Sequence, residues 1–152
     1  MGFRTVAINN GPEKAELAKE LGAHSYVDSA AEDVAAALQR MGGAKAILAT
    51  APSGKAIAAL VPGLAVRGKL IVVGVAPDPI EVSSTSLVFG SRSIYGSLTG
   101  SAIDAQDTLA FSVVQDVRPM IETLPLEKAP EAFARLMDGT ARFRMVLVID
   151  KN

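Results

Sequence analysis

Two stretches, "KAILAT" at residues 45–50 and "KLIVVGV" at residues 69–75, are apolar almost without interruption. They constrain the chain more than anything else in it. A strand with one wet face alternates apolar and polar residues, so a run that does not alternate fits a strand covered on both faces, as in parallel sheets. Shorter strand-like runs lie at residues 4–8, 25–27 and 93–98. Between them the apolar spacing changes to three and four: Leu17, Ala18 and Leu21 form one stripe, Val34, Leu38 and Met41 another, and Ile57, Leu60, Val61 and Leu64 the most regular. Strand and helix in alternation with short joins predict an α/β fold, a parallel sheet with right-handed crossovers and flanking helices.

Boundary signals agree with this reading. Ser29 with Glu32, and Ser101 with Asp104, have the spacing of a capping box. Gly22, Gly42 and Gly43 stand where helices should stop. After Leu98 the rhythm changes: a helix is expected over about residues 104–115, then a short apolar piece "PMIETL". A helix within "PLEKAPEAFARLMDG", with Phe133, Leu136 and Met137 on one side, and a strand "FRMVLVID" complete the chain. Residues 1–98 and 99–152 are therefore read as separate parts.

Composition narrows the function classes. A chain of 152 residues is long enough for one domain burying roughly 70% of its extended surface. Fifteen Lys and Arg against sixteen Asp and Glu are scattered along it, which speaks against nucleic-acid or membrane-surface binding, since both need concentrated positive charge. The longest apolar run, "LIVVGVA", is far short of the ~20 residues that span a bilayer. No secretory pattern opens the chain and it has no Cys, so disulfides and thiolate metal sites are excluded and a cytoplasmic location is expected.

The chemical motifs are modest. "APSGKAI" contains the Ser-Gly-Lys of phosphate loops, but Ala49 and Ala56 occupy the positions where such a loop needs Gly and a metal-binding hydroxyl. His24, the one histidine, has no partners for a zinc site or a triad and reads as a solvated loop residue. Glu13, Glu16 and Glu20 share a helix face and read as solubilising. Asn9 is more informative. It ends the first strand of "AINNGPEK", where a dinucleotide-binding sheet usually places a carboxylate that accepts both ribose hydroxyls. An amide accepts one bond and donates another, and carries no charge to repel a 2'-phosphate.

With these residues placed, the chain resembles the C-terminal, NAD(P)-binding portion of zinc-dependent medium-chain alcohol dehydrogenases. The likeness rests on "MGFRTVAIN...EKAELAKELGA", "GGAKAILATAPSGKAI", "GKLIVVGVAPD", "SIYGSLTGSAIDAQDTLAF" and "PLEKAPEAFARLMDGTARFRMVLV" in the family's order. It implies a Rossmann-like sheet lacking the first strand and its Gly-rich turn, as in a dehydrogenase begun at an internal methionine. Asn9 falls at the ribose acid, leaving NAD against NADP open, and Lys14 matches a lysine that reaches the ribose. Thr50 and Ala51 would flank the adenosine side. Val73 and Val75 match residues whose main-chain groups bond the nicotinamide carboxamide, with Leu98 and Thr99 completing that pocket. Arg144 matches a guanidinium that clamps the pyrophosphate.

The resemblance also implies what this chain does not carry. The ligands of the family's zinc, the ion that polarises the alcohol oxygen, are not among its residues, so no catalytic residue is assigned and the chain alone is expected to be inactive. In the strand order 3-2-1-4-5-6 the first strand is central. Its absence would leave backbone groups of residues 4–8 and 45–50 unpaired, at about 1 to 3 kcal/mol each, unless these strands close on each other, another chain inserts a strand, or the sequence is a portion of a larger protein. Residues from Thr99 onward normally return to the catalytic domain, so exposed apolar stripes at Phe133, Leu136, Met137 and Val146 would favour association. Family dimers join sheets edge to edge through the segment matching "PIEVS", which implies a strand there and a homodimer or larger oligomer. Rival readings are a non-catalytic oligomerisation or nucleotide-binding module, and part of a zinc-free quinone or enoyl reductase.

Overall fold

Every strand ladder in the computed structural model, which describes residues 2–149, is parallel, but the ladders form three sheets rather than one. Strand β1 (Val6–Asn9) pairs with β2 (Ser25–Asp28). Strands β3 (Ala44–Ala49), β4 (Leu64–Val72) and β5 (Ser93–Gly96) follow one another in the second sheet. In the third, β6 (Ile121–Pro125) pairs with β7 (Arg144–Val148). The chain divides into two compact units between Thr99 and Gly100.

In the first unit, helices α1 (Ala15–Glu20), α2 (Val34–Arg40), α3 (Gly54–Ala58) and α4 (Ser84–Val88) connect successive strands. One apolar core holds Leu38, Ile47, Ala49, Ile57, Val61, Leu64 and Leu70, with Val6 and Ile8 of β1 packed against it. The α/β reading therefore stands, as does its all-parallel sense. The sheet is divided where the first strand is missing: β1 and β3 belong to different sheets, so the closure of one on the other is not what the structure adopts. Nor is β3 covered on both faces as its apolar run suggests: Ile47 and Ala49 are buried, while Leu48 between them faces away from the core and is 63% exposed.

The most regular stripe is corrected. Ile57, Val61 and Leu64 are all essentially buried, yet only Ile57 lies in a helix. Pro62, with no N–H to give, sits in a 3₁₀ turn (Val61–Gly63), and Leu64 opens β4. The spacing reported burial, not the element. Strand β4 is irregular near its start, where Arg67 adopts φ 60° and its N–H donates to the Gly90 carbonyl at 2.8 Å. It also ends at Val72 rather than Val75.

Of the two capping boxes, Ser101 with Asp104 is present at the start of α5 (Ala102–Val114). Ser29 with Glu32 is not one. The N-cap of α2 is Asp33, which accepts the Ala36 N–H at 2.7 Å, while the Ser29 hydroxyl donates to the Asn9 carbonyl and Glu32 pairs with Arg40. Gly22 and Gly42 do terminate α1 and α2, with φ of 97° at each, a region open chiefly to glycine.

The second unit is a βαβ arrangement preceded by α5. The apolar piece "PMIETL" is strand β6, joined to β7 by α6 (Ala129–Met137). The expected last strand extends to Asp150, which lies outside the described residues. Phe133, Leu136 and Met137 are exposed and Val146 is half-buried. Residues 79–83, "PIEVS", adopt no strand, and Ile80 and Val82 pack against the core.

Candidate functional site

The second sheet brings most of the expected residues to one end. Its strands are parallel and in register, Ala49 beside Val72 and Val72 beside Gly96. The residues immediately past them therefore emerge together: Thr50 and Ala51 after β3, Val73 and Val75 after β4, Leu98 and Thr99 after β5. Crevices at the carboxyl ends of parallel strands are where α/β sheets hold ligands, because loops there diverge and leave main-chain groups unpaired.

The loop after β4 is folded tightly over the end of β3. The N–H groups of Val73 and Gly74 both donate to the Ala49 carbonyl at 3.0 Å, and the Ser97 N–H donates to the Val72 carbonyl at 2.9 Å. A Cβ on Gly74 would lie 2.5 Å from the Ala51 carbonyl oxygen, so only glycine allows this approach. Because the Val73 N–H is already used, what Val73 offers a ligand is its carbonyl. The side chains of Val75 and Leu98 are 81% and 87% exposed, making an apolar ledge beside these polar main-chain groups.

A second cluster forms where β1 and β2 end. The Asn9 amide oxygen accepts from Lys14 Nζ at 3.2 Å and from the Asn10 N–H at 2.8 Å. Its acceptor is thereby occupied from within, and the amide NH₂ and the Lys14 ammonium remain to face outward. Gly11 is held from two sides: its N–H donates to the Asp28 carboxylate at 2.9 Å, and its carbonyl accepts from the Tyr26 hydroxyl at 2.5 Å. Burial, with the nearby Asp28 and Glu13 carboxylates, raises the Tyr26 pKa above its ordinary value, keeping the hydroxyl a donor. Sequence reasoning missed Tyr26 and Asp28. The pairing of Asn9 with Asp28 across the first sheet was the available signal, and it required knowing the register.

Arg144 belongs to the second unit, where it opens β7, exposed and paired in register with Ile121. His24 is exposed, as expected, but its Nδ1 accepts the Thr5 N–H at 3.1 Å. The "APSGKAI" segment is an ordinary strand-to-helix loop whose first helical N–H groups, on Gly54 and Lys55, are taken by the Asp78 carboxylate. Among the described residues no group of three or more His, Cys, Asp or Glu could hold a metal ion. Nor is any helix of the described residues long and apolar enough to cross a membrane.

Comparison with known proteins places this geometry in a family. Residues 1–114 match the family model of the zinc-binding dehydrogenases. The chain is 42% identical over 148 residues to alcohol dehydrogenase patD of Penicillium expansum, covering 97% of this chain and 43% of that protein. It is 33% identical over 151 residues to an alcohol dehydrogenase of Geobacillus stearothermophilus, covering 99% and 45%. Among solved structures it superposes on an alcohol dehydrogenase zinc-binding domain protein from Burkholderia ambifaria with TM-score 0.82, at 25% identity over 94% of this chain and 41% of that one. The fold likewise matches benzyl alcohol dehydrogenase from Acinetobacter calcoaceticus, with TM-score 0.80 at 22% identity over 94% of this chain and 42% of that one. The chain thus spans less than half the length of these relatives. By family model, by sequence and by fold, it belongs to the zinc-binding dehydrogenases.

Proposed function

We propose that this chain is the part of an alcohol dehydrogenase that holds NAD(P), serving the interconversion of an alcohol with its aldehyde or ketone. The observation that carries the reading is the convergence of Thr50, Ala51, Val73, Val75, Leu98 and Thr99 just beyond the carboxyl ends of three adjacent parallel strands. Asn9 and Lys14 would take the adenosine ribose. The Val73 carbonyl and the main chain of Val75 would take the carboxamide, and Arg144 the pyrophosphate. Residues 1–98 would carry the dinucleotide, while residues 99–152 would face the catalytic part of the enzyme, in a homo-oligomer. The bound cofactor supplies the hydride acceptor or donor. The family's zinc finds no fitting ligand set here, with no Cys and one His in the chain. The chain by itself is therefore expected not to reduce NAD(P) with ethanol or benzyl alcohol.

The ribose end supports a finer reading. Lys14 and the outward amide of Asn9 offer donors and one positive charge where a carboxylate would repel a phosphate, so NADPH should bind at least as well as NADH. Calorimetric titration of the chain with NADPH, NADH and 2',5'-ADP tests this. Asn9→Asp should weaken NADPH by about tenfold or more and leave NADH within a few-fold, since one new like charge beside the phosphate costs on the order of 1.4 kcal/mol or above. No binding of any of these ligands would overturn the reading.

A further inference from the structure

The loop that carries Val73 and Val75 has to be held by something other than a ladder. From Val73 to Val82 the chain reads "VGVAPDPIEV" and forms neither strand nor helix. With Gly74, Pro77 and Pro79 in it, the segment has little tendency to form either. Its near end is fixed by the Val73 and Gly74 N–H groups on the Ala49 carbonyl, and its far end by Ile80 and Val82 against the core. Between these anchors a single side chain reaches out to fixed backbone. Asp78 Oδ1 accepts the Gly54 N–H at 2.9 Å and Oδ2 accepts the Lys55 N–H at 2.9 Å.

This is a two-point contact with the first turn of α3. Ser53, the N-cap, takes the Ala56 N–H at 3.3 Å, so Asp78 satisfies the donors that Ser53 leaves over. The approach is too close for any other residue at position 54: a Cβ there would lie 2.4 Å from the carbonyl oxygens of both Asp78 and Pro79. Charge and shape thus act together, with one carboxylate pulling the loop down onto a helix start from which the side chain has been removed.

We propose that Asp78 is a positioning residue for the nicotinamide end of the dinucleotide site, holding the main chain of Val73 and Val75 at the height the carboxamide requires. This rests on the dinucleotide reading above. Asp78 acts through the loop and is assigned no contact with the ligand. The two backbone N–H groups hold its carboxyl below the usual carboxylate range, so the contact is made by the charged form at neutral pH. The other charged groups around the same depression are Lys55 and Glu81. Lys55 already supplies its backbone N–H to Asp78, whereas Glu81 contributes like charge, so neither can replace the carboxylate. Asn9 stands at the end of β1 and Lys14 in the turn that follows it, whereas Asp78 joins the loop after β4 to the start of α3.

The test compares ligands that do and do not reach the loop. In Asp78→Asn the amide presents an NH₂ to one of the two backbone donors, so one bond is lost. Titration should then give NADPH weakened about tenfold, the effect of losing one charge-assisted bond, with 2',5'-ADP bound within twofold of the parent chain. Gly54→Ala, which pushes the loop off from the other side, should give the same split. Asp78→Glu, which keeps the charge but lengthens the arm, should show a smaller loss in the same direction, and serves if Asp78→Asn does not fold. Unchanged NADPH affinity in these variants, or equal weakening of both ligands, would overturn the proposal, the latter by making Asp78 a general structural residue. A parent chain that binds 2',5'-ADP but no dinucleotide, or neither ligand, is a separate result, which sinks the reading of the site itself and the proposal with it.

Discussion

Single carboxylates fasten the irregular parts of this chain, and Glu122 shows how. One of its oxygens accepts the Arg142 N–H at 2.6 Å and the other pairs with the Arg135 guanidinium, so one side chain joins β6, α6 and the turn before β7. The Arg142 N–H first, and then Arg135, lower its pKa. A carboxyl whose native pKa is depressed gives stability that is fully present above its unfolded value of about 4.3, and that is lost as pH falls through the native one. The melting temperature of the parent chain should therefore fall between about pH 5 and pH 3 more steeply than that of Glu122→Gln, which has no such proton to take up. Equal slopes in scanning calorimetry would deny Glu122 this role. None of it was legible beforehand. "PMIETL" reads only as a short apolar piece, because Glu122 meets Arg135 and Arg142 only once β6 pairs with β7 across α6. Asn9 was legible as a candidate because it ends a strand that the apolar pattern marks, which is a local property, whereas Lys14, Thr50 and Ala51 were named by the resemblance alone.

At the scale of elements, the capping signals show what local chemistry can and cannot decide. Ser101 and Asp104 form the reciprocal box their spacing predicts, the Asp104 carboxylate accepting both the Ser101 N–H at 2.7 Å and its hydroxyl at 2.6 Å. Those bonds, the hydroxyl first, hold the Asp104 carboxyl below its ordinary pKa. Helix α5 has no buried residue, so its own ends matter more than packing does. Ser101→Ala should cost about 1 kcal/mol, read as lost helical signal in circular dichroism and a lower melting temperature; an unchanged spectrum and melt would show that α5 is held by other means. Ser29 with Glu32 had the same spacing and failed, since Asp33, four residues beyond Ser29, caps α2 instead. The stripe from Ile57 to Leu64 failed differently. Its periodicity was real and its residues are buried, but Pro62 turned the chain and a strand put Leu64 into the same core that a helix would have.

Over the whole molecule, the division of the sheet dominates. β3 pairs only with β4, and β1 only with β2, among the described residues, so each presents an unpaired edge, and Leu48 on one of them is 63% exposed. Open apolar edges template association between copies. Leu48→Lys should shift the chain toward monomer in light scattering at micromolar concentration without lowering its melting temperature; an unchanged mass would remove this edge from any oligomer interface. The sequence by itself determined the parallel α/β class, the positions of most strands and the strand ends where the candidate residues lie, because burial periodicity and helix stops are written into neighbours a few residues apart. Only the tertiary structure decided that the ladders form three sheets, that "PIEVS" is not a strand, that Tyr26 and Asp28 clamp Gly11, and that Asp78 holds the loop at Val73 and Val75. Each of these depends on backbone groups meeting partners many residues away, and a pattern read along one strand or helix carries no information about which distant donor its free acceptors will find.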